Sequence, residues 1–317
     1  MSTRRILVTG ANGYIGKYVV PILLQNKFEV HGITKSDTLN AKKTNDQLGI
    51  LKNSAHWHSL DLLQDSPDQI IELVKPTHLL HLAWNTEHGK FWTAKDNTEW
   101  LEASLNLMKS FYANRGKRFV FAGSVAEYDW HEGQCIEGLT PEVPHTLYGQ
   151  TKKAFTDALL KFSRDNNKSA AIGRIFFLYG PGEPQGRIIP AVIHAIKNQE
   201  ICKCTEGTQV RDFMYVGDVA DAMATLVDSN LQGIVNLASG EPQALKTIII
   251  NILKQMQATG YDANIDSIQF GVLARGANDP DLLTASTKRL NEELNWRPKV
   301  TLDNGLKLTI ENILERT

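Results

Sequence analysis

Tyr148 and Lys152 stand four residues apart in the stretch Tyr148-Gly149-Gln150-Thr151-Lys152, and Ser124 lies upstream. On a helix that spacing brings phenol and ammonium to one face, a turn apart. A phenol titrates near ~10 and is a poor acid or base at neutral pH. A neighbouring ammonium favours the phenolate and lowers that value. A serine hydroxyl on the same substrate oxygen would complete a device that moves a proton while a hydrogen moves on carbon. Tyr-x-x-x-Lys alone is common on surface helices. Its weight here comes from its place in the chain.

The elements that must position these groups begin at the N-terminus. Residues 4–9 predict a buried strand, and Gly10-x-x-Gly13-x-x-Gly16 turns it into a helix over 14–25, followed by a second strand over 28–34. Glycine serves the tight turn, the approach of backbone to a pyrophosphate and the close packing of helix on strand. The helix N-terminus offers N–H groups and a positive dipole end to phosphates. Gly10, Asn12, Gly13, Tyr14, Ile15 and Gly16 are therefore expected around a dinucleotide, whose oxidised nicotinamide would add to the pull of Lys152 on the phenol. NAD-binding folds commonly place an acid at the end of the second strand, ~20 residues after the loop. Here Thr34, Lys35 and Ser36 occupy that place, which suits a 2′-phosphate, so NADP(H) is favoured; Asp37 leaves NAD(H) possible. A third strand over 56–60 ends in Asp61, placed for the adenine amino group, with Leu62 next. The fourth strand, 77–83, ends in Leu82-Ala83, whose small tip lets the nucleotide pass.

Residues 84–96 crowd aromatic, His and Glu side chains into a loop after a strand tip, where ligands of α/β sheets sit. Trp84, His88 and Trp92 are expected to shape a substrate pocket, with His88 as a second acid/base; a packing loop reads equally well for His88. A helix over 97–114 and a strand over 118–122 deliver Ser124, and a proline-marked loop leads into the helix 147–164 that carries Tyr148 and Lys152. A strand over 170–176 follows. Beyond it the strand–helix alternation loosens, with helices at 188–197, 219–227, 243–257 and 287–294, short strands at 202–206, 235–238 and 267–271, and a C-terminal helix. The expected fold is α/β: a Rossmann-type doubly wound parallel sheet with a smaller C-terminal substrate lobe. The dinucleotide domain would take 1–178 plus roughly 208–240, and the lobe 179–207 and 241–317.

Composition excludes several classes. The 317 residues are 42% hydrophobic and 22% charged, with 34 basic against 35 acidic side chains, so no overall charge draws the chain to nucleic acid. No apolar run approaches the ~18–20 residues that cross a bilayer. The N-terminus runs straight into the first strand without signal-peptide character, and three cysteines make no disulfide framework; a cytoplasmic protein is expected. Cys202-x-Cys204 lacks a second ligand pair and reads as two ordinary thiols, so no metal is expected.

In order, T-G-x-x-G-x-x-G at 9–16, Ser124, Y-x-x-x-K at 148–152, Y-G-P at 179–181, R-D-F-x-Y-V-x-D at 211–218 and L-N-W-x-P at 294–298 span nearly the whole chain. The sequence resembles the extended short-chain dehydrogenase/reductase family, in its branch of nucleotide-sugar epimerases, dehydratases and reductases. The resemblance implies that Tyr148 is the general acid/base, that Lys152 tunes it and holds the nicotinamide ribose, and that Ser124 bonds the substrate oxygen. It also implies that Arg211 and Arg275 clamp a substrate diphosphate and that the protein is a homodimer built on helices 97–114 and 148–164. Departures narrow the reaction. The Asp-Glu pair of 4,6-dehydratases is replaced by Val125-Ala126, and the cysteine of GDP-fucose-synthase-type epimerase/reductases by Ala126. Glu127 stands in place of an apolar residue, and Phe177 where many members carry a substrate-contacting Asn. The expected activity is NADPH-dependent reduction of a nucleotide-linked 4-keto(-6-deoxy) sugar. The alternatives are a 4-epimerase that retains NAD and, from another class, a non-catalytic NADP-binding regulator.

Overall fold

The computed structural model describes residues 4–35 and 54–315. Its first strand, β1 (Arg5–Thr9), carries Ile6, Leu7 and Val8 fully buried, as a strand covered on both faces requires. After it come α1 (Gly16–Gln25), β2 (Glu29–Thr34), β3 (His56–Ser59), α2 (Asp68–Val74), β4 (His78–His81), α3 (Asp96–Ala113) and β5 (Arg118–Ser124). The two-residue β6 (Gln134–Cys135) precedes α4 (Leu147–Asp165), β7 (Ser169–Ile175), β8 (Phe177–Tyr179) and α5 (Ile188–Lys197). The remainder is β9 (Cys202–Lys203), β10 (Val210–Arg211), β11 (Phe213–Tyr215), α6 (Val216–Asp228), β12 (Gly233–Leu237), β13 (Gln243–Ala244), α7 (Leu245–Ala258), β14 (Ile268–Gln269), β15 (Leu282–Ala285) and α8 (Leu302–Glu315).

The described residues build a seven-stranded sheet in the order β12-β7-β5-β4-β1-β2-β3, every neighbouring pair parallel. The expected doubly wound α/β fold is present. Order reverses between β1 and β4, the switch point at which such sheets bind ligands beyond the strands' carboxyl ends. One face is covered by α1 and α6, through Val19, Leu23, Val219 and Met223. On the other lie α2, α3 and α4, through Ile71, Leu107, Phe111, Phe155 and Leu159. A separate apolar cluster joins α5, α7 and α8 through Ile193, Ile252 and Ile310. Small sheets gather the later strands: β13-β10-β15-β6, β11-β8 and β14-β9.

Several local expectations are corrected. The first helix starts at Gly16 rather than 14, because Gly13 N–H bonds back to Gly10 O at 2.9 Å and the loop is still turning. The strand expected at 267–271 shrinks to β14, and the expected helix at 287–294 is a short π-helical turn at Arg289–Glu293. The longer late strand is β15, preceded by Asp279-Pro280-Asp281 and opening on the exposed Leu282. Neither feature advertises a strand. Gln243–Ala244 pair antiparallel with β10 before α7 begins. These short pairings join residues far apart in the chain and have no local signature.

Glycine is obligatory at the start of α1. A Cβ on Gly16 would stand 2.2 Å from Gly10 O and 2.5 Å from Ala11 O, both backbone atoms that cannot swing aside. Gly10 itself has φ +64°, and its Cβ would meet Ala83 N at 3.0 Å. Gly16→Ala should therefore destabilise by about 1–3 kcal/mol, as overpacking does, and weaken nicotinamide-cofactor binding. Chemical denaturation and a fluorescence titration with reduced cofactor would check both.

Candidate active site

Ser124 is the last residue of β5 and the N-cap of the single turn Val125–Glu127. Its Oγ accepts a hydrogen bond from Ala126 N at 3.2 Å, and the Glu127 carboxylate accepts one from Ser124 N at 2.7 Å, a closed capping box. Glu127 is fully buried. Its second oxygen accepts from Thr156 Oγ1 of α4 at 2.8 Å and from Arg174 of β7, Nη2 at 3.1 Å and Nε at 3.2 Å. Arg174 is also fully buried, lies 4.2 Å over the Tyr128 ring and reaches Glu142 at 2.7 Å through Nη1. The residue that seemed out of place for the family thus joins the serine turn to the helix of Tyr148 and to the next strand. Removing one partner of a buried, hydrogen-bonded ion pair costs about 3–5 kcal/mol. Glu127→Ala should lose stability on that scale, measured by equilibrium unfolding, and Glu127→Gln less.

Tyr148 stands in the first turn of α4, which is capped by Thr146, whose Oγ1 accepts from Gly149 N at 3.1 Å. The Tyr148 N–H donates to Trp92 O at 3.1 Å, and its ring packs edge-on against Phe91 and Trp92, with centroids 4.8 and 5.8 Å apart. Burial pushes the phenol up to about 12, with a hydrogen bond to the Ser124 side chain acting in the other direction. Lys152 Nζ donates to Ala122 O at 2.9 Å and stands over the rings of Trp84 at 4.2 Å and Phe121 at 4.4 Å. Burial pulls its ammonium down to about 7, opposed by the charge of Glu127. Ser124, Tyr148 and Lys152 are thus brought together. Lys152 is aimed at a carbonyl and at aromatic faces, that of Tyr148 among them at 5.7 Å, and desolvation is the largest influence on both groups.

The nucleotide side is equally organised. Thr9 Oγ1 accepts from Leu82 N and Ala83 N, at 3.2 and 3.1 Å, and donates to His81 Nδ1 at 2.7 Å. The other nitrogen of His81 meets Ser104 Oγ at 2.8 Å, and that hydroxyl donates to Trp100 O. Fully buried, His81 is held down to about 3 and stays neutral. This relay pins the tip of β4 beside the glycine loop. Tyr14 and Tyr18 of the loop and α1 donate to Gly180 O and Pro181 O, at 3.0 and 2.8 Å, fastening that loop to the Tyr179-Gly180-Pro181 turn. Thr34, buried at the end of β2, has an Oγ1 that finds no hydrogen-bond partner among the described residues. A buried unsatisfied hydroxyl beside a cradle that admits only glycine fits a ribose or phosphate group there. Lys35 pairs with Asp61 at 3.2 Å across the tips of β2 and β3; Leu62 is buried, and Leu82 and Ala83 are half-buried. Ser36 and Asp37 lie outside the described residues.

The substrate-side residues divide. Trp84, expected in the pocket, is buried beneath Lys152, its Nε1 donating to Asn97 Oδ1 at 2.8 Å and its ring stacked on Trp100. It supports the site rather than lining it. His88 is at the surface, close against Gly186, with its pKa lowered by partial burial and the nearby Arg187. Arg211 and Arg275 do converge, both on the segment Asp279–Asp281: Arg211 pairs with Asp279 and Pro280 O, Arg275 with Asp281 at 2.5 Å and Asp279 O at 2.7 Å. Sequence reasoning missed Glu183 and Arg187. Burial pushes the Glu183 carboxyl up to about 8, and its Oε2 is buried without a hydrogen-bond partner among the described residues. The Arg187 charge acts on Tyr148, Glu183 and His88 alike. The glycine- and proline-rich run Gly180-Pro181-Gly182-Glu183-Pro184 was the available signal.

With this geometry, comparison with known proteins is informative. The NAD dependent epimerase/dehydratase family model matches residues 6–238. The chain belongs to that family. It is an NAD(P)-dependent enzyme and an extended short-chain dehydrogenase/reductase, as the resemblance implied, which sets aside the non-catalytic regulator. Among its relatives, dTDP-4-dehydro-6-deoxyglucose reductase of Escherichia coli is 27% identical over 331 residues, covering 97% of each chain. CDP-abequose synthase of Salmonella typhimurium is 24% identical over 319 residues, covering 98% of this chain and 97% of its own. The solved UDP-N-acetylglucosamine 4-epimerase of Methanobrevibacter ruminantium shares the fold at TM-score 0.85 and 21% identity, covering 100% of both chains. Among the described residues, no helix is long and apolar enough to cross a membrane.

Lys152 makes a further prediction. Its folded value of about 7 lies below the ordinary 10.5. Between those values the unfolded chain holds a proton that the folded chain has lost, so this group adds stability as pH rises through that window. Denaturation of the cofactor-free protein from about pH 6 to 10 should show wild type gaining steadily relative to Lys152→Met. A constant difference would contradict a depressed lysine.

Proposed function

We propose that this enzyme is an NADPH-dependent reductase of a nucleotide-linked 4-keto-6-deoxy sugar. The observation that carries the reading is the placing of Tyr148, buried in the first turn of α4, beside the serine that ends β5, with burial holding its phenol still further above neutrality than an ordinary tyrosine. A phenol in that state is a proton donor to a carbonyl oxygen, the role reduction requires. When bound, the nicotinamide cofactor supplies the hydride. Ser124 orients the carbonyl oxygen, Tyr148 gives it a proton, and the Lys152 charge offsets the phenolate left behind. Val125 and Ala126 offer no acid or base for chemistry elsewhere on the ring. Similarity to a dTDP-4-dehydro-6-deoxyglucose reductase over nearly the full chain supports the substrate class.

The NADP preference rests on the Thr34 hydroxyl and on Lys35, whose exposed pairing with Asp61 is worth at most about 1 kcal/mol and is readily exchanged for a phosphate. Arg211 and Arg275, gathered around Asp279, would turn to the substrate diphosphate as bidentate forks. A 4-epimerase uses the same three residues, and the likeness of fold to a solved 4-epimerase keeps that reading second.

Stoichiometric oxidation of NADPH with a 4-keto-6-deoxy sugar nucleotide is the expected result. Interconversion of UDP-sugars without added cofactor would reverse the order of the two readings. Tyr148→Phe should lower turnover by about 10²–10⁴-fold with cofactor affinity nearly unchanged, checked by steady-state kinetics and cofactor titration.

A further inference from the structure

At the outer edge of the main sheet, away from the catalytic groups, β2 contributes Glu29 and His31 and β3 contributes His56 and His58. Residues two apart on a strand share a face. In the parallel register His31 lies opposite His56, and His58 opposite Ile33, so all four side chains stand on one face of two neighbouring strands. The imidazoles are stacked: the His31 ring is 4.7 Å from that of His56 and 5.3 Å from that of His58. Glu29 Oε1 lies 3.1 Å from His31 Nε2, and donor atoms of Glu29, His31 and His56 all fall within 4.8 Å of one another. His31 is buried, His56 is exposed, and Glu29 and His58 are intermediate.

We infer that Glu29, His31 and His56 form a binding site for a divalent transition-metal ion of the zinc class. Two imidazoles and a carboxylate are a donor set such ions take, with water completing the shell. Ligand atoms around a tetrahedral ion stand roughly 3.3 Å apart, so binding would draw the exposed His56 side chain in toward the Glu29–His31 pair. With Nε2 of His31 on the metal, its Nδ1 faces His58 Nε2 at 3.0 Å. His58 is then the outer partner that fixes tautomer and ring orientation, a positioning residue rather than a ligand. Arg5 opposes the cation, standing 3.5 Å from Glu29 Oε2, but its guanidinium is also held by Val74 O at 2.7 Å and leaves Oε1 to the metal. The exposed His56 provides the entry path. A bound ion would cross-link the start of β3, the four-residue edge strand, to the start of β2, at the end of these strands opposite Thr34 and Asp61.

Tag-free protein, stripped with EDTA and freed of chelator, is titrated with zinc by calorimetry and with cobalt by visible absorption. One equivalent should bind, with d–d bands of nitrogen and oxygen ligation and a rise in thermal midpoint. His56→Ala, at an exposed position that should not affect folding, should weaken binding at least about tenfold, as should Glu29→Gln, since loss of even an outer-shell partner costs 10–100-fold. His131→Ala, in the separate Asp129–His131–His145 group, should leave binding unchanged. The inference is overturned if no metal binds, if His56→Ala binds like wild type, or if cobalt gives the thiolate charge-transfer band expected from Cys202 and Cys204.

Discussion

A carboxylate with no access to water must find donors for its lone pairs or be driven neutral, and Glu127 finds four. Ser124 N, Thr156 Oγ1 and two nitrogens of Arg174 surround it. They come from the end of β5, from the middle of α4 and from β7, so one buried group fixes how the serine turn sits against the tyrosine helix. Such a pair is not an economical source of stability, because desolvation cancels most of its attraction. Its consequence is geometric: if β5 and α4 slid apart, a charge would be stranded in the core. Ser124 and Tyr148, which the proposed reaction brings to one substrate oxygen, are held in relative place by that constraint.

The same dryness sets the electrostatics of the site. Tyr148 is pushed up and Lys152 pulled down by loss of water, and the lysine rests on aromatic faces and a single carbonyl. The protein without its cofactor therefore favours an uncharged pair, phenol beside a readily discharged amine. A group poised in this way changes state with little cost when a nearby charge or a reacting oxygen arrives. Glu183, whose carboxyl burial pushes up to about 8, follows the same logic beside Tyr14.

Much of this was legible in the sequence because it is written locally. The glycine loop, the apolar strand runs, the serine at a strand end and the Tyr-x-x-x-Lys spacing each carry their own signature; the strand runs and the loop gave the parallel sheet, and the other two marked side chains that the fold brings together. What was hidden depends on partners distant in the chain. Nothing near Glu127 announces Arg174, 47 residues away, so the glutamate read as an oddity. Trp84 read as a pocket residue because it follows a strand tip, whereas its ring supports Lys152 from beneath. The spacings Glu29-x-His31 and His56-x-His58 were visible, but only the β2–β3 register sets them side by side. The pair at Arg211 and Arg275 emerged from family resemblance, and the segment that gathers them, Asp279–Asp281 just before β15, from no pattern at all.

The central claim is that the buried phenol of Tyr148, held beside Ser124, stays protonated at neutral pH and above. Tyrosine labelled with carbon-13 at the ring carbon bearing oxygen reports that state directly by NMR, with the Tyr148 signal assigned from Tyr148→Phe. The cofactor-free protein should show a phenol resonance that does not move from about pH 6 to 10. A phenolate shift with its midpoint near or below neutrality would contradict it.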